Sequence, residues 1–260
     1  MKKGHCTLKE LVKSKFPDLT EKQIFSMILC GDVLVDGQKI RDSLFKLSKS
    51  CIIQLKPGKP YVSRGGEKLV PILDYWKIRV KGKVFIDAGA STGGFTDCLL
   101  KEGAEFVYAV DVGQNQLAYK LQHHPRVKSF ERTNIMELGR LSFDPQPDAA
   151  FADLSFRSAV GAASNLLLLV REKWIVALIK PQFEWANPSR EFNGVIKNRE
   201  ILIDVLFNVV DRMWKEESYV SKVKPSPIRG AKGNREFFFL IKSECEKDKD
   251  DVKAELVRII

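Results

Sequence analysis

The sequence predicts an α/β protein in two parts: a small basic α+β domain over residues 1–56, then a doubly wound, mostly parallel sheet. Three observations predict it. Short, wholly apolar runs alternate with helical segments from residue 80 onward, the pattern of strands buried on both faces. The first of these runs leads into a glycine-rich turn, Asp87-Ala-Gly-Ala-Ser-Thr-Gly-Gly-Phe95. Ahead of them, about sixty residues hold two helix-like stretches and a compact hairpin.

In the first part, TLKELVKSKF (7–16) sets Leu8, Leu11, Val12 and Phe16 at helical spacing, and Pro17-Asp18 stop it. Thr20, with Gln23 three residues on, forms a capping box for a second helix, EKQIFSMIL, which Gly31-Asp32 end. VLVDGQKI then reads as a hairpin turning at Asp36-Gly37, and CIIQL (51–55) as a further strand. Lys56-Pro57-Gly58-Lys59-Pro60 breaks the pattern, so a linker is expected over 57–62. The large domain is expected over 63–245. Its strands are 84–86, 106–110, 127–130, 148–151, 174–179 and, after a long loop at 224–235, 236–241. Residues 246–260 read as a charge-rich tail, a solvated helix or frayed end.

The net charge is +10 over 260 residues, and residues 1–60 hold 12 Lys/Arg against 6 Asp/Glu. Such a balance favours a polyanionic partner, nucleic acid or an acidic membrane surface. The membrane alternative has little support, because no apolar run approaches the ~20 residues of a span. The start, MKKGHCTLKELVKSK, has no apolar core of a secretory signal. Five scattered cysteines with no C-x-x-C pair argue against a disulfide framework and a zinc site, and reduced thiols in a cytoplasmic protein are expected. No metal is expected.

The glycine turn is neither G-x-G-x-x-G nor a P-loop. Gly89, Gly93 and Gly94 allow a sharp turn and close approach of a ligand at the carboxyl end of a strand. Asp87 precedes the turn, as in methyltransferases that bind S-adenosylmethionine. The next strand ends in Asp111, where a carboxylate can accept two hydrogen bonds from ribose hydroxyls. Two more charged residues directly follow buried apolar strands: Asp153 in F-A-D-L-S-F and Lys180 in I-K-P-Q-F-E. Glu236 begins the last strand, and Lys68 lies just past the linker in S-R-G-G-E-K-L. Taken singly, each has an ordinary alternative as a rim residue or helix cap.

In combination the segments are more specific. YVSRGGEKL (61–69), DAGASTGGFTDCLL (87–100), AVDVGQNQLAYKL (109–121), HPRVKSFERTN (124–134), ADLSF (152–156), LIKPQFE (178–184), GVI (194–196) and SPIRGAKGNREFF (226–238) span most of the chain. With them the chain resembles the haemolysin A–like (TlyA-type) ribosomal RNA methyltransferases, related to the FtsJ/RrmJ-type 2′-O-methyltransferases. The resemblance implies a Rossmann-like class I methyltransferase domain whose mostly parallel sheet has an antiparallel last strand. It implies an S-four-type RNA-binding domain before it. It places a Lys-Asp-Lys-Glu catalytic tetrad on Lys68, Asp153, Lys180 and Glu236. The implied cofactor is S-adenosylmethionine and the implied reaction methylation of a ribose 2′-hydroxyl, of cytidine, in ribosomal RNA or ribosomal subunits.

A ribose hydroxyl is a poor nucleophile while protonated, so Lys180 is expected to act as base. An ordinary lysine has a pKa near ~10.4. A cationic Lys68, the sulfonium and burial would favour a neutral amine, whereas Asp153 and Glu236, expected to orient Lys180, favour the ammonium. A charged Lys180 stabilising the alkoxide therefore stays open. Gly89, Ser91, Thr92, Gly93 and Gly94 are expected at the methionine end, with Asp111 on the ribose and Asn134 near the adenine. Phe95 is expected to pack the helix on the sheet. For RNA, Lys9, Lys13, Lys15, Lys22, Arg41 and Lys46 are expected on phosphates, and Arg64, Arg229, Lys232 and Arg235 flank the catalytic positions. Nothing in the sequence demands more than a monomer. Three rivals remain: a membrane-active haemolysin, a non-catalytic RNA-binding or ribosome-assembly factor, and a methyltransferase acting on another RNA or on a protein.

Overall fold

Thr7 and Thr20 each start a helix with a reciprocal capping box, to Glu10 and Gln23. In the computed structural model, residues 5–56, 60–155, 158–186, 188 and 192–260 are described. Residues 57–59 of the expected linker, Phe156 of ADLSF, and 187 and 189–191 lie outside them. The chain divides into two compact units, Met1–Pro60 and Tyr61–Ile260.

The first unit runs β1 (His5–Thr7), α1 (Leu8–Lys15), α2 (Glu21–Cys30), β2 (Val33–Val35), β3 (Gln38–Lys39), β4 (Lys46–Ser48) and β5 (Ile53–Leu55). Leu8, Val12, Ile24, Ile28 and Val33 form its core. The hairpin β2–β3 turns at Asp36 (φ 47°) and Gly37 (φ 81°), both left-handed as a type I′ turn requires. Sequence reading missed β1 and β4, whose three residues each are too few to display a period of two.

The second unit runs α3 (Arg64–Trp76), β6 (Val84–Ala88), α4 (Gly94–Lys101), β7 (Phe106–Val110), α5 (Tyr119–Gln122), β8 (Val127–Phe130), a 3₁₀ turn (Ile135–Arg140), β9 (Ala149–Ala152) and α6 (Ala159–Leu169). It continues through β10 (Trp174–Ile179), α7 (Pro181–Glu184), α8 (Arg199–Lys215), β11 (Tyr219–Pro225), β12 (Phe237–Lys242) and α9 (Lys249–Ile259). Seven strands lie in the order β11-β12-β10-β9-β6-β7-β8. Pairing is parallel from β10 to β8, and β12 is antiparallel to both its neighbours, as expected of the last strand.

Alternate residues of the central strands bury on opposite faces. Phe85, Val107 and Phe151 meet Leu69 and Ile72 of α3 and Leu99 of α4. Ile86, Tyr108 and Ala150 share the other core with Val160 of α6 and Leu206 of α8. Both faces are covered, so these strands read as continuous apolar runs.

Two expectations need correction. Strand β11 begins before, and runs into, the segment expected as loop 224–235. It is an edge strand carrying Lys222 and Lys224 and ending in Pro225, features that blunt an edge and also hide it from an apolar count. The tail is not merely a solvated or frayed end either. Val252 and Leu256, four residues apart on α9, are fully buried in the core shared with α8 and β11.

The chain leaves β6 toward β7 on one side and reaches β9 on the other. At this switch point the carboxyl ends of adjacent parallel strands open a crevice. No helix among the described residues is long and apolar enough to cross a membrane.

Candidate active site

The crevice is a cleft of about 720 Å³. Its floor comes from the end of β6 (Asp87), the loop after it (Gly89, Ser91, Thr92) and the start of α4 (Gly94, Phe95). Asp111 and Asn134 line it from the exits of β7 and β8, Asp153 and Lys180 from those of β9 and β10, and Arg64 and Lys68 from α3.

The glycines are required by contact and by conformation. A Cβ on Gly89 (φ 81°) would sit 2.7 Å from the Asp153 carbonyl oxygen, so glycine lets the exits of β6 and β9 touch. Gly93 (φ 92°) caps α4, where a Cβ would strike Leu121 at 2.3 Å; of the expected cofactor residues it alone is not among those lining the cleft.

Asp87 is buried. Its Oδ2 accepts from the Thr96 amide at 2.8 Å and from the Thr96 hydroxyl at 2.6 Å, tying β6 to α4. Its Oδ1 is buried with no hydrogen-bond partner among the described residues. Burial pushes this carboxyl up to about 7, against the two Thr96 bonds, and the charges of Asp153 and Asp111 add to the rise. Asp111 accepts from the Ser91 amide at 2.8 Å and the Gly113 amide at 2.7 Å, one on each oxygen. Each oxygen keeps a further lone pair. Asn134 caps the 3₁₀ turn through Met136.

This set fits a nucleoside with an amino-acid tail. An ammonium would satisfy the orphaned oxygen of Asp87, and ribose hydroxyls the spare capacity of Asp111. Val112, 70% exposed, lines the cleft with Ile135 and Leu154 and offers apolar surface to a flat ring. Sequence reading missed these three. An apolar residue one step past a strand-end acid carries no signal of its own. It also missed Ser63, Gln116 and Ser155; Ser63 was legible in principle as the N-cap of α3.

The four residues of the expected tetrad form two ion pairs. Lys68 Nζ donates to Glu236 Oε2 at 2.7 Å, both side chains being buried. Gly230 makes room for that carboxylate, since a Cβ there would fall 1.9 Å from Glu236 Oε1. Lys180 Nζ lies 2.6 Å from Asp153 Oδ1, outside hydrogen-bonding geometry, and donates to the Ser155 hydroxyl at 2.9 Å. Both carboxylates were expected to orient Lys180. The structure gives Asp153 to Lys180 and Glu236 to Lys68, because Glu236 enters from the head of β12 opposite α3.

The expected RNA contacts divide. Arg64 lines the cleft, and Lys22, Arg41, Lys46, Arg229 and Lys232 are exposed. Several head groups are engaged within the chain, that of Arg229 donating to the Gly233 carbonyl at 3.1 Å. Lys9 pairs with Glu21, Lys13 donates to the Pro17 and Leu19 carbonyls, and Lys15 to that of Cys51. Arg235 donates to the Ile259 and Ile260 carbonyls at the end of α9, a tertiary clamp rather than an open cation.

The fold and this cleft are those of a class I methyltransferase. Residues 61–243 match the FtsJ-like methyltransferase family, and the chain belongs to it. Hemolysin A of Brachyspira hyodysenteriae is 38% identical over 88% of this chain and 97% of its own. The 16S/23S rRNA (cytidine-2′-O)-methyltransferase TlyA of Mycobacterium tuberculosis is 35% identical over 88% of this chain and 86% of its own. A solved structure described as a hemolysin from Streptococcus thermophilus superposes with a TM-score of 0.69 at 32% identity, covering 98% of this chain and 97% of that one.

Proposed function

We propose that the chain transfers a methyl group from S-adenosylmethionine to the 2′-hydroxyl of a cytidine in ribosomal RNA, in the cytoplasm and as a monomer. The observation that carries the reading is the Lys180–Asp153 pair at 2.6 Å, set in the same cleft as a nucleoside-type pocket. When bound, S-adenosylmethionine supplies a methyl group made electrophilic by the sulfonium. Asp87 holds its ammonium, Asp111 its ribose, and Gly89, Ser91, Thr92, Gly93 and Gly94 form the turn around its methionine end, with Asn134 toward the adenine.

Lys180 meets the attacking 2′-oxygen. As an amine it takes the hydroxyl proton; as an ammonium it stabilises the forming alkoxide. Asp153 and Ser155 hold Nζ in place for either role. Lys68, held by Glu236, supplies a second cation at the cleft wall. Residues 1–56 serve as an S-four-type RNA-binding domain, with 57–62 as linker to the methyltransferase domain. Exposed Lys22, Arg41 and Lys46 meet phosphates there, and Arg64, Arg229 and Lys232 guide the strand at the cleft. Relatives named for haemolysis share this cleft's family, and a methyl-transfer site accounts for the paired lysines where a lytic or purely binding role does not.

The test is transfer of labelled methyl from S-adenosylmethionine to ribosomal subunits. Label on RNA that makes the modified linkage resistant to alkali, and that is lost with Lys180→Ala, is the expected result. No transfer and no cofactor binding would return the chain to the non-catalytic RNA-binding reading.

A further inference from the structure

Glu184 is buried, four residues after Lys180, and the proposed reaction makes no use of it. It closes α7, a single four-residue turn whose first residue follows Lys180 directly. A helix that short does not hold itself in place. Its anchor is the Glu184 side chain. Oε1 accepts from the Ala159 amide at 2.7 Å and Oε2 from the Ser158 hydroxyl at 2.7 Å.

Ala159 is the first residue of α6 and Ser158 its N-cap, so one carboxylate takes up a first-turn amide that the helix itself leaves unpaired, together with the hydroxyl of the capping residue. Those residues lie just downstream of Asp153 and Ser155. Arg212 of α8 completes the knot: its NH2 donates to the Ser158 hydroxyl at 3.0 Å, and its NH1 lies 3.6 Å from Glu184 Oε2. Burial raises the pKa of this carboxyl, against the Ser158 and Ala159 bonds and the Arg212 charge.

We propose that Glu184 is a positioning residue: by pinning the turn that carries Lys180 to the start of α6, it sets Lys180 against Asp153 and Ser155. The inference rests on the reading that Lys180 meets the substrate. Lys180 and Asp153 end neighbouring parallel strands, whose paired register among the described residues stops at Ala177 and Ala152. The Glu184 carboxylate supplies a link beyond that point.

The experiment compares full-length wild type with Glu184→Ala, Glu184→Gln and Ser158→Ala. It reads kcat and KM for methyl transfer to ribosomal subunits, cofactor affinity by calorimetry, and Tm. A displacement of order 1 Å at a reacting group costs up to about a hundredfold. Glu184→Ala should lower kcat about ten- to a hundredfold, with KM and cofactor Kd within about twofold. Glu184→Gln should restore part of kcat, because its amide oxygen still accepts from Ala159, whereas its amide nitrogen meets a Ser158 hydroxyl that already accepts from the Val160 amide and Arg212. Ser158→Ala removes one of the two links and keeps the carboxylate. It should lower kcat several-fold, and it decides the matter if Glu184→Ala does not fold. Wild-type kcat in a folded Glu184→Ala or Ser158→Ala protein overturns the inference. So does a loss confined to KM, or one that Glu184→Gln does not relieve. A wild type that binds cofactor and transfers no methyl overturns the reaction itself, and this inference with it.

Discussion

The two lysine–carboxylate pairs of the cleft have nearly the same length, 2.7 Å for Lys68–Glu236 and 2.6 Å for Lys180–Asp153, and different surroundings. In the first, the side chains are 9% and 3% exposed; in the second, 10% and 22%. The first joins residues 168 positions apart, on α3 and at the head of β12. The second joins the exits of adjacent parallel strands, and both its members line the cleft. The closed pair couples its charges chiefly to each other and to the fold, although Lys68 also reaches the cleft wall. An open pair leaves capacity for a substrate, and the contrast can be broken experimentally.

The largest effect is expected at the open pair. Lys180→Ala should cut single-turnover methyl transfer by about 10²–10⁴, the usual worth of a positioned acid–base group, while cofactor affinity stays near wild type. Lys180→Arg separates the two roles. A fully active arginine enzyme would exclude the neutral base and leave electrostatic stabilisation, since arginine keeps its proton.

The closed pair should show itself in stability. Lys68→Met strands Glu236 as a buried, unpaired carboxylate, and breaking such a pair costs about 3–5 kcal/mol. Urea unfolding should move to a clearly lower midpoint. The double variant Lys68→Met/Glu236→Leu should recover most of that stability, because two apolar groups leave no charge uncompensated. If Lys180→Met destabilises the protein as much as Lys68→Met, the distinction between open and closed pairs fails.

This contrast was only half legible in the sequence. Asp87, Asp153 and Lys180 stand out because β6, β9 and β10 are buried on both faces, so the first charged residue after each apolar run marks a strand end. Lys68 sits inside a helix with no apolar run to announce it; its place just past the linker was a weak sign, and its role came from the family resemblance. Which carboxylate meets which lysine depends on contacts between segments far apart in the chain, on which local pattern is silent. The same holds for Arg235, read as an RNA contact and found clamped to the end of α9. Strand β11 escaped because an edge strand with alternating lysines lacks the apolar run that betrays its buried neighbours.

Asp87 extends the comparison to a carboxylate that makes no ion pair among the described residues. Burial lifts its carboxyl from an ordinary 3.8 to about 7, so the fold favours the protonated form. The sign follows: its contribution to stability is full below about pH 4 and is lost as pH rises through about 7. Asp87→Asn should remove that part of the pH dependence of Tm in the cofactor-free protein. An ammonium at Oδ1 favours the ionised form, so cofactor affinity should rise with pH across about 6–8, with proton release in calorimetry. An Asp87→Asn protein with the same pH–affinity profile as wild type would remove Asp87 from the cofactor's tail.

The smallest effects concern the same question of spent against available charge, now in residues 1–56. Lys13 gives its ammonium to two backbone carbonyls at 2.8 and 2.7 Å, whereas Arg41 and Lys46 are exposed and make no ion pair among the described residues. A cation on a phosphate releases about 0.7–0.9 counterion on RNA or DNA, and so contributes that much to the slope of log K against log salt. Arg41→Ala and Lys46→Ala should each flatten the slope for ribosomal RNA by about that amount. Lys13→Ala should leave the slope unchanged and lower Tm slightly, because its nitrogen serves the chain between α1 and α2. Equal slopes for all three variants would show that exposure in this unit does not mark the RNA face.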